Sequence, residues 1–263
     1  MAHRDQIAAH IQSNKSLAVS PDWLDSFLAS SGPGNRNIPI SALTQTALFR
    51  VLASDFRDSL SKTPASLLPV DISDPNVQER RLQGSIPVQV LDIEDIGTSL
   101  WSQIEAIERV ERGEAIRGRE VVRTIAALED TELTGTGNTP TSNNATGGNA
   151  NASGSSGFGP HRLIVQDAAG TNAVGIEMQR IEGVSIEKLP IGAKLMLRNA
   201  TVARGMVLLA PGTTIMLGGK IEALDRSWRE DRKARLLQRV AEIGEENQAQ
   251  PNGTNGNTGA RRR

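Results

Sequence analysis

The sequence contains no cysteine, only 3% aromatic residues, and almost no net charge, with 29 Lys plus Arg against 30 Asp plus Glu. Without Cys there are no disulfides, thiolate metal sites or cysteine nucleophiles. A formal net charge of -1 gives no overall cationic field to draw the chain onto nucleic acid or a membrane, so any nucleic-acid contact is expected to be local or made through a partner. No stretch approaches the roughly 20 apolar residues that span a bilayer. The opening MAHRDQIAAHIQSNKS lacks the apolar run of a signal peptide, and a soluble, intracellular chain is expected. His3, His10 and His161 have no second His or paired carboxylate at ligand spacing, so they read as solvated side chains rather than as a metal site or acid–base pair. GTGNTP at 135 lacks the third glycine and the flanking strand and helix of a phosphate loop.

What is present begins as helices. In SPDWLDSFLASSG, Ser20 caps, Pro21 takes the first helical position, and Trp23, Leu24, Phe27 and Leu28 form one stripe before Gly32. ISALTQTALFRVLASDFRDSL keeps Leu43, Ala47, Leu48, Val51, Leu52, Phe56 and Leu60 on one helical face. With a shorter helix through Ile7 and Ile11, residues 1–62 read as a small bundle whose aromatics belong to its core. The period then changes from helix to strand. SIPVQVLDI alternates, RLIVQD and NAVGIEM flank a turn with Gly170, and KLMLRNATV, GMVLLAP and TTIMLGG follow between Gly and Pro punctuation. About five short strands over residues 80–222 predict a small closed or partly open barrel of the OB type. A helix from 222 to 245 follows, with Leu224, Trp228, Leu236, Leu237, Val240 and Ile243 as apolar positions and Asp225–Arg229 and Asp231–Arg235 as i, i+4 pairs. Residues 246–263 are expected to be a disordered tail. The class is α+β.

Between the first two strands lies an insertion at about 110–160. Its stretch 135–159 holds no charged residue and almost nothing apolar, so it is expected to be a flexible loop, its ends about 25 to 30 Å apart on average. A single-strand binder stacks bases on aromatic side chains, yet from 80 to 222 the only aromatics are Trp101 and Phe158. The basic residues of the last helix, Arg226 to Arg239, are interleaved with Glu222, Asp225, Glu230 and Asp231 and read as a self-paired, solvated face. Asp167 is the one carboxylate considered as a catalytic acid, but beside AAGT it more often shapes a turn.

SDFRDSL, LQGSIPVQVLDIEDI and the run from His161 to Leu224 resemble the N-terminal region of the RecQ-mediated genome instability protein 1 family. The most specific parts are LQGSIPVQVLDI, the turn with Pro190, Gly192 and Lys194, and the segment from Gly205 to Leu209 leading into LGG. The resemblance implies a three-helix bundle and an OB-fold that do not catalyse and hold no cofactor or metal. It implies partners, a type IA topoisomerase III and a RecQ-family helicase, with DNA met mostly through them. The loop between the first two strands would reach the topoisomerase gate, promoting decatenation and dissolution of double Holliday junctions in the nucleus. Within the insertion, Glu111 to Glu129 carries both charge and apolar residues, and Arg112, Arg117, Arg119, Val121 and Val122 are its candidate partner contacts. On the barrel the candidate is Lys194, expected as a turn cation.

Overall fold

The computed structural model describes residues 2–30, 39–114 and 160–249. Residues 1–104 and 157–263 form one compact unit and 105–156 a second, of which 105–114 are described.

Four helices open the chain: α1 (Ala2–Lys15), α2 (Pro21–Ser30), α3 (Ile40–Ala53) and the single turn α4 (Phe56–Ser59). The Ser20 carbonyl accepts the Leu24 N–H at 3.0 Å and starts α2, as the Ser-Pro pair predicts. Ile7, Ile11, Leu17, Leu24, Leu43, Ala47, Val51 and Phe56 form the apolar centre of the bundle. The continuous helix expected from 40 to 60 is in fact broken after Ala53. Asp55 takes an extended backbone, φ -70° and ψ 131°, and its carboxylate accepts the Arg57 N–H at the start of α4. An N-cap aspartate competes with helix continuation in this way. Phe56 and Leu60 still reach the same core, but from a separate turn.

The remainder is one sheet with a helix at each end of its long connections. Its strands are β1 (Glu79–Arg81), β2 (Ser85–Asp95), β3 (His161–Gln166), β4 (Asn172–Glu177), β5 (Lys194–Arg198), β6 (Thr201–Ala203), β7 (Met206–Leu209) and β8 (Thr214–Gly218). Helix α5 (Leu100–Glu111) follows β2, and α6 (Glu222–Ala249) follows β8. The order is β1-β6-β7-β4-β3-β2-β5-β8, antiparallel throughout except for the parallel β4–β7 pair. The strand number therefore exceeds the five expected. KLMLRNATV is two strands because Asn199 adopts φ 49° and turns the chain between β5 and β6, a conformation Asn tolerates better than most residues. β5 pairs with β2 while β6 pairs with β7, so the sheet bends back on itself through that covalent corner without closing by strand pairing. β1 and β8 are added at the two edges.

Inward residues such as Val88, Val90, Leu163, Val165, Leu195, Leu197, Val207 and Leu209 fill the interior, and Trp228 of α6 joins them. Two glycines of the motifs noted above have steric reasons. Gly192 has φ 81°, and a Cβ there would lie 2.5 Å from the Ile221 nitrogen, where α6 departs. Gly205 has φ 80°, with the Ser73 carbonyl oxygen 2.6 Å from where its Cβ would be. α6 runs to Ala249, so residues 246–249 are helical rather than tail; 250–263 lie outside the described residues.

The β3–β4 turn settles the reading of Asp167. This fully buried carboxylate accepts the Ala169 and Thr171 N–H groups at 2.9 and 2.8 Å through one oxygen and the Leu68 N–H at 2.8 Å through the other. It shapes the turn and ties it to the segment before β1. Asp167→Ala strands three backbone donors and should cost about 3 kcal/mol, lowering Tm by roughly 6 to 12 °C for a chain of this size. Thermal denaturation followed by circular dichroism checks this, and an unchanged Tm would remove the structural role given to Asp167.

Candidate partner-binding site

β5 is sandwiched: Leu195 and Leu197 face the barrel interior, while Met196 joins the core of the helical bundle. Lys194 shares the side of Met196 and is wholly buried. Its Nζ donates to Gln89 Oε1 at 2.9 Å and lies 4.7 Å from the centroid of the Phe56 ring. The same Gln89 oxygen accepts the Phe56 N–H at 3.0 Å, and Gln89 Nε2 donates to Asp55 Oδ1 at 2.9 Å and Gln166 Oε1 at 3.1 Å. Lys194 is therefore a strand residue at the seam between helices and sheet, not a turn cation. It is out of reach of a partner's surface in this fold. The sequence spacing placed it beside a turn correctly; what it lacked was the bundle covering the outer side of β5.

Burial drives the Lys194 ammonium down to about 7, against the opposing pull of the Asp55 charge. Burial pushes the Asp55 carboxyl up, but the hydrogen bonds from Arg57 and Gln89 outweigh it and hold the group below the usual carboxylate range.

The root of the insertion is held from both sides. On the entering side Asp95 Oδ1 accepts the Gly97 and Thr98 N–H groups at 2.8 and 3.1 Å, and the buried Gln103 amide donates to the Asp95 and Thr98 carbonyls, both at 3.0 Å. On the returning side His161 Nδ1 lies 2.6 Å from Glu177 Oε2, and the other Glu177 oxygen accepts the Ile181 N–H at 2.7 Å. His161 is thus buried and partnered, not solvated as its place beside a polar tract suggests. The Ile96 N–H donates to the Pro160 carbonyl at 3.0 Å, so the chain leaves and re-enters the barrel one hydrogen bond apart.

Of the expected insertion contacts, Arg112 is described. It lies just past α5, half-exposed, with Glu114 at 3.1 Å and Glu108 at 3.7 Å, so its charge is matched locally. Arg117, Arg119, Val121 and Val122 lie outside the described residues. On α6 the expected Asp225–Arg229 pair forms at 3.0 Å. Arg235 does not meet Asp231 but donates to the Trp228 carbonyl and lies over the Trp228 ring, whose indole N–H donates to Asp92. Gln89, Gln166 and Glu177 carry no signal at the level of sequence, because a buried polar residue in a strand is read as outward-facing until its partners are known.

Helices laid on a bent, eight-stranded OB-type sheet, with an insertion rooted between β2 and β3, define an OB-fold protein with an N-terminal helical module. Residues 68–232 match the family model "RMI1, N-terminal OB-fold domain", and residues 11–59 match "RMI1, N-terminal helical domain". The chain belongs to the RMI1 family. It is also similar to RecQ-mediated genome instability protein 1 of Schizosaccharomyces pombe, 27% identical over 212 residues that cover 81% of this chain and 86% of that protein.

The Lys194 seam has a measurable pH signature. Its folded-state pKa of about 7 lies below the unfolded value, so the unfolded chain holds more protons above pH 7. The penalty of its burial is full below the folded pKa and is relieved as pH rises toward the unfolded one. Denaturant unfolding at pH 7.5 to 9.5 should show the wild type gaining on Lys194→Met by roughly 1 kcal/mol per pH unit. Parallel pH curves for the two proteins would mean that Lys194 keeps its ordinary pKa.

Proposed function

We propose that the chain is a non-catalytic adaptor subunit acting in genome maintenance. In this reading its barrel docks a type IA topoisomerase III within an assembly that includes a RecQ-family helicase. Residues 115–159 act on the topoisomerase gate, promoting decatenation and dissolution of double Holliday junctions in the nucleus, and DNA is met mostly through these partners. The observation that carries the reading is the OB-fold family match over residues 68–232, whose bounds enclose the insertion between β2 and β3. The name of the S. pombe relative, a RecQ-mediated genome instability protein, points the same way.

The geometry supports a dock rather than a nucleic-acid reader. Among the described residues from 80 to 222, Trp101 is the only aromatic, and it sits on α5 rather than on the sheet. Sequence-tolerant binding of single strands by OB-folds combines a basic groove with base stacking on aromatic side chains.

The test mixes the purified chain with its cognate topoisomerase III and measures the complex by light scattering after size exclusion. A second version replaces residues 115–159 with a short Gly/Ser linker and leaves α5 whole. Both should form a one-to-one complex, and only the intact chain should alter decatenation. If neither version binds and the barrel instead holds single-stranded oligonucleotides with a steep salt dependence, the adaptor reading is replaced by direct DNA binding.

A further inference from the structure

A sheet with one face in water normally alternates apolar inward with polar outward. Strands β3, β4 and β7 break that rule. Their inward positions are buried as expected, but Ile164, Val174, Ile176, Met206 and Leu208 all point outward, and all remain partly exposed, Met206 at 40%. Register arranges them in two rows. Ile164 lies beside Val174 and Val174 beside Met206; Arg162 lies beside Ile176 and Ile176 beside Leu208. β6 extends the rows with Ala203 and Thr201, and β1 ends them with Glu79 and Arg81.

The two ends of the face differ in how their charges are paired. At the β2 end, Arg162 is paired with Glu94 at 2.7 Å and Arg239 approaches Glu94 at 3.8 Å. At the β1 end, Glu79 and Arg81 close the two rows; the Arg81 Nε donates to the Asn199 carbonyl at 3.2 Å, and no described carboxylate pairs with Arg81. An apolar centre with a polar rim is the plan of a protein interface. The face carries no aromatic side chain on which a base could stack.

Its size limits the occupant. Five strands about 4.8 Å apart and two rows about 7 Å apart span roughly 300 Å². A stable interface buries about 800 Å² on each side, so two copies of this chain meeting through the face alone would fall well short. A short segment of a larger protein, anchored elsewhere as well, matches the area.

We propose that the outward face of β3, β4 and β7 docks a short apolar segment of the protein partner that this adaptor carries, with a carboxylate of that segment at the Arg81 end. The inference rests on the adaptor reading and adds to it the surface used and the chemistry recognised there.

The experiment titrates the full chain, wild type and variants, against the cognate topoisomerase III by calorimetry. Met206→Glu puts a charge into the apolar centre, Arg81→Glu reverses the Arg81 rim charge, and Phe49→Glu changes a side chain 74% exposed on α3 as a control off the face. Melting curves establish that each variant is folded, and Arg81→Glu serves if Met206→Glu is not. The expected result is a loss of at least tenfold in affinity for Met206→Glu and Arg81→Glu, with Phe49→Glu unchanged. If the wild type binds and the face variants bind equally well, this docking surface is wrong while the adaptor reading stands. If the wild type does not bind, the adaptor reading and the surface fall together. If the wild type self-associates in light scattering and Met206→Glu abolishes this, the occupant is a second copy and the proposal is overturned.

Discussion

One buried amide holds the helical bundle to the barrel. Gln89 sits in β2 with no exposed surface, its oxygen shared between the Phe56 N–H and the Lys194 ammonium, its nitrogen donating to Asp55 and Gln166. A glutamine side chain offers two donors and two acceptor sites, and here all four are used. Each bond reaches a different element: the start of α4, the cap residue before it, β3 and β5. Apolar contact between Met196 and the bundle core is compatible with small sliding motions, whereas four directional bonds from one group are not. Phe56 in turn fixes the break between α3 and α4, because its N–H must face Gln89 rather than continue a helix. The register of β2 against β5, with Gln89 opposite Lys194, follows from the same contact.

That arrangement explains why the fold was legible in the sequence and its seam was not. Helical stripes through Leu24, Leu43 and Val51 and the period-two runs of β2, β3 and β4 report which face of each element is apolar, and those faces became the two cores. The β3–β4 hairpin follows from the Asp167-to-Thr171 turn, whose Ala169 and Thr171 hydrogen bonds to Asp167 are local. Strand number was undercounted because a bend at Asn199 is a single-residue event inside an otherwise strand-like run, and β1, with the charged sequence Glu-Arg-Arg, carries no apolar alternation at all. Lys194 and His161 were misjudged for a common reason. Their burial depends on partners far away in sequence, Gln89 and Phe56 for one and Glu177 for the other. The same holds for Trp228 and Asp92, 136 residues apart. The insertion candidates Arg117, Arg119, Val121 and Val122 lie beyond the described residues, and local spacing carries no information on what they meet.

The closed root of the insertion separates two requirements that would otherwise conflict. The Ile96–Pro160 hydrogen bond, the Asp95–Gln103 cluster and the His161–Glu177 pair bring the chain back beside its point of departure. Once the ends are fixed, the entropic cost of lengthening a loop grows only with the logarithm of its length. The barrel core gathers its residues from strands on either side of the insertion. The bonds that hold this root come from residues 95–103 and 160–181, on either side of 115–159.

Charge follows a similar logic. Although the chain carries 29 basic residues, the described arginines nearest the sheet are largely engaged: Arg162 with Glu94, Arg80 with Asp71, Arg235 over Trp228 and near Asp92. Strong nucleic-acid binding needs several unpaired cations so that counterions are released on contact, and of the four arginines in the described strands Arg80 and Arg162 already face carboxylates, which leaves Arg81 and Arg198. What the sheet leaves outward is aliphatic. A polar strand surface costs nothing in water, so five aliphatic side chains kept together on adjacent outward positions are a feature that folding alone does not require, whereas a protein partner does.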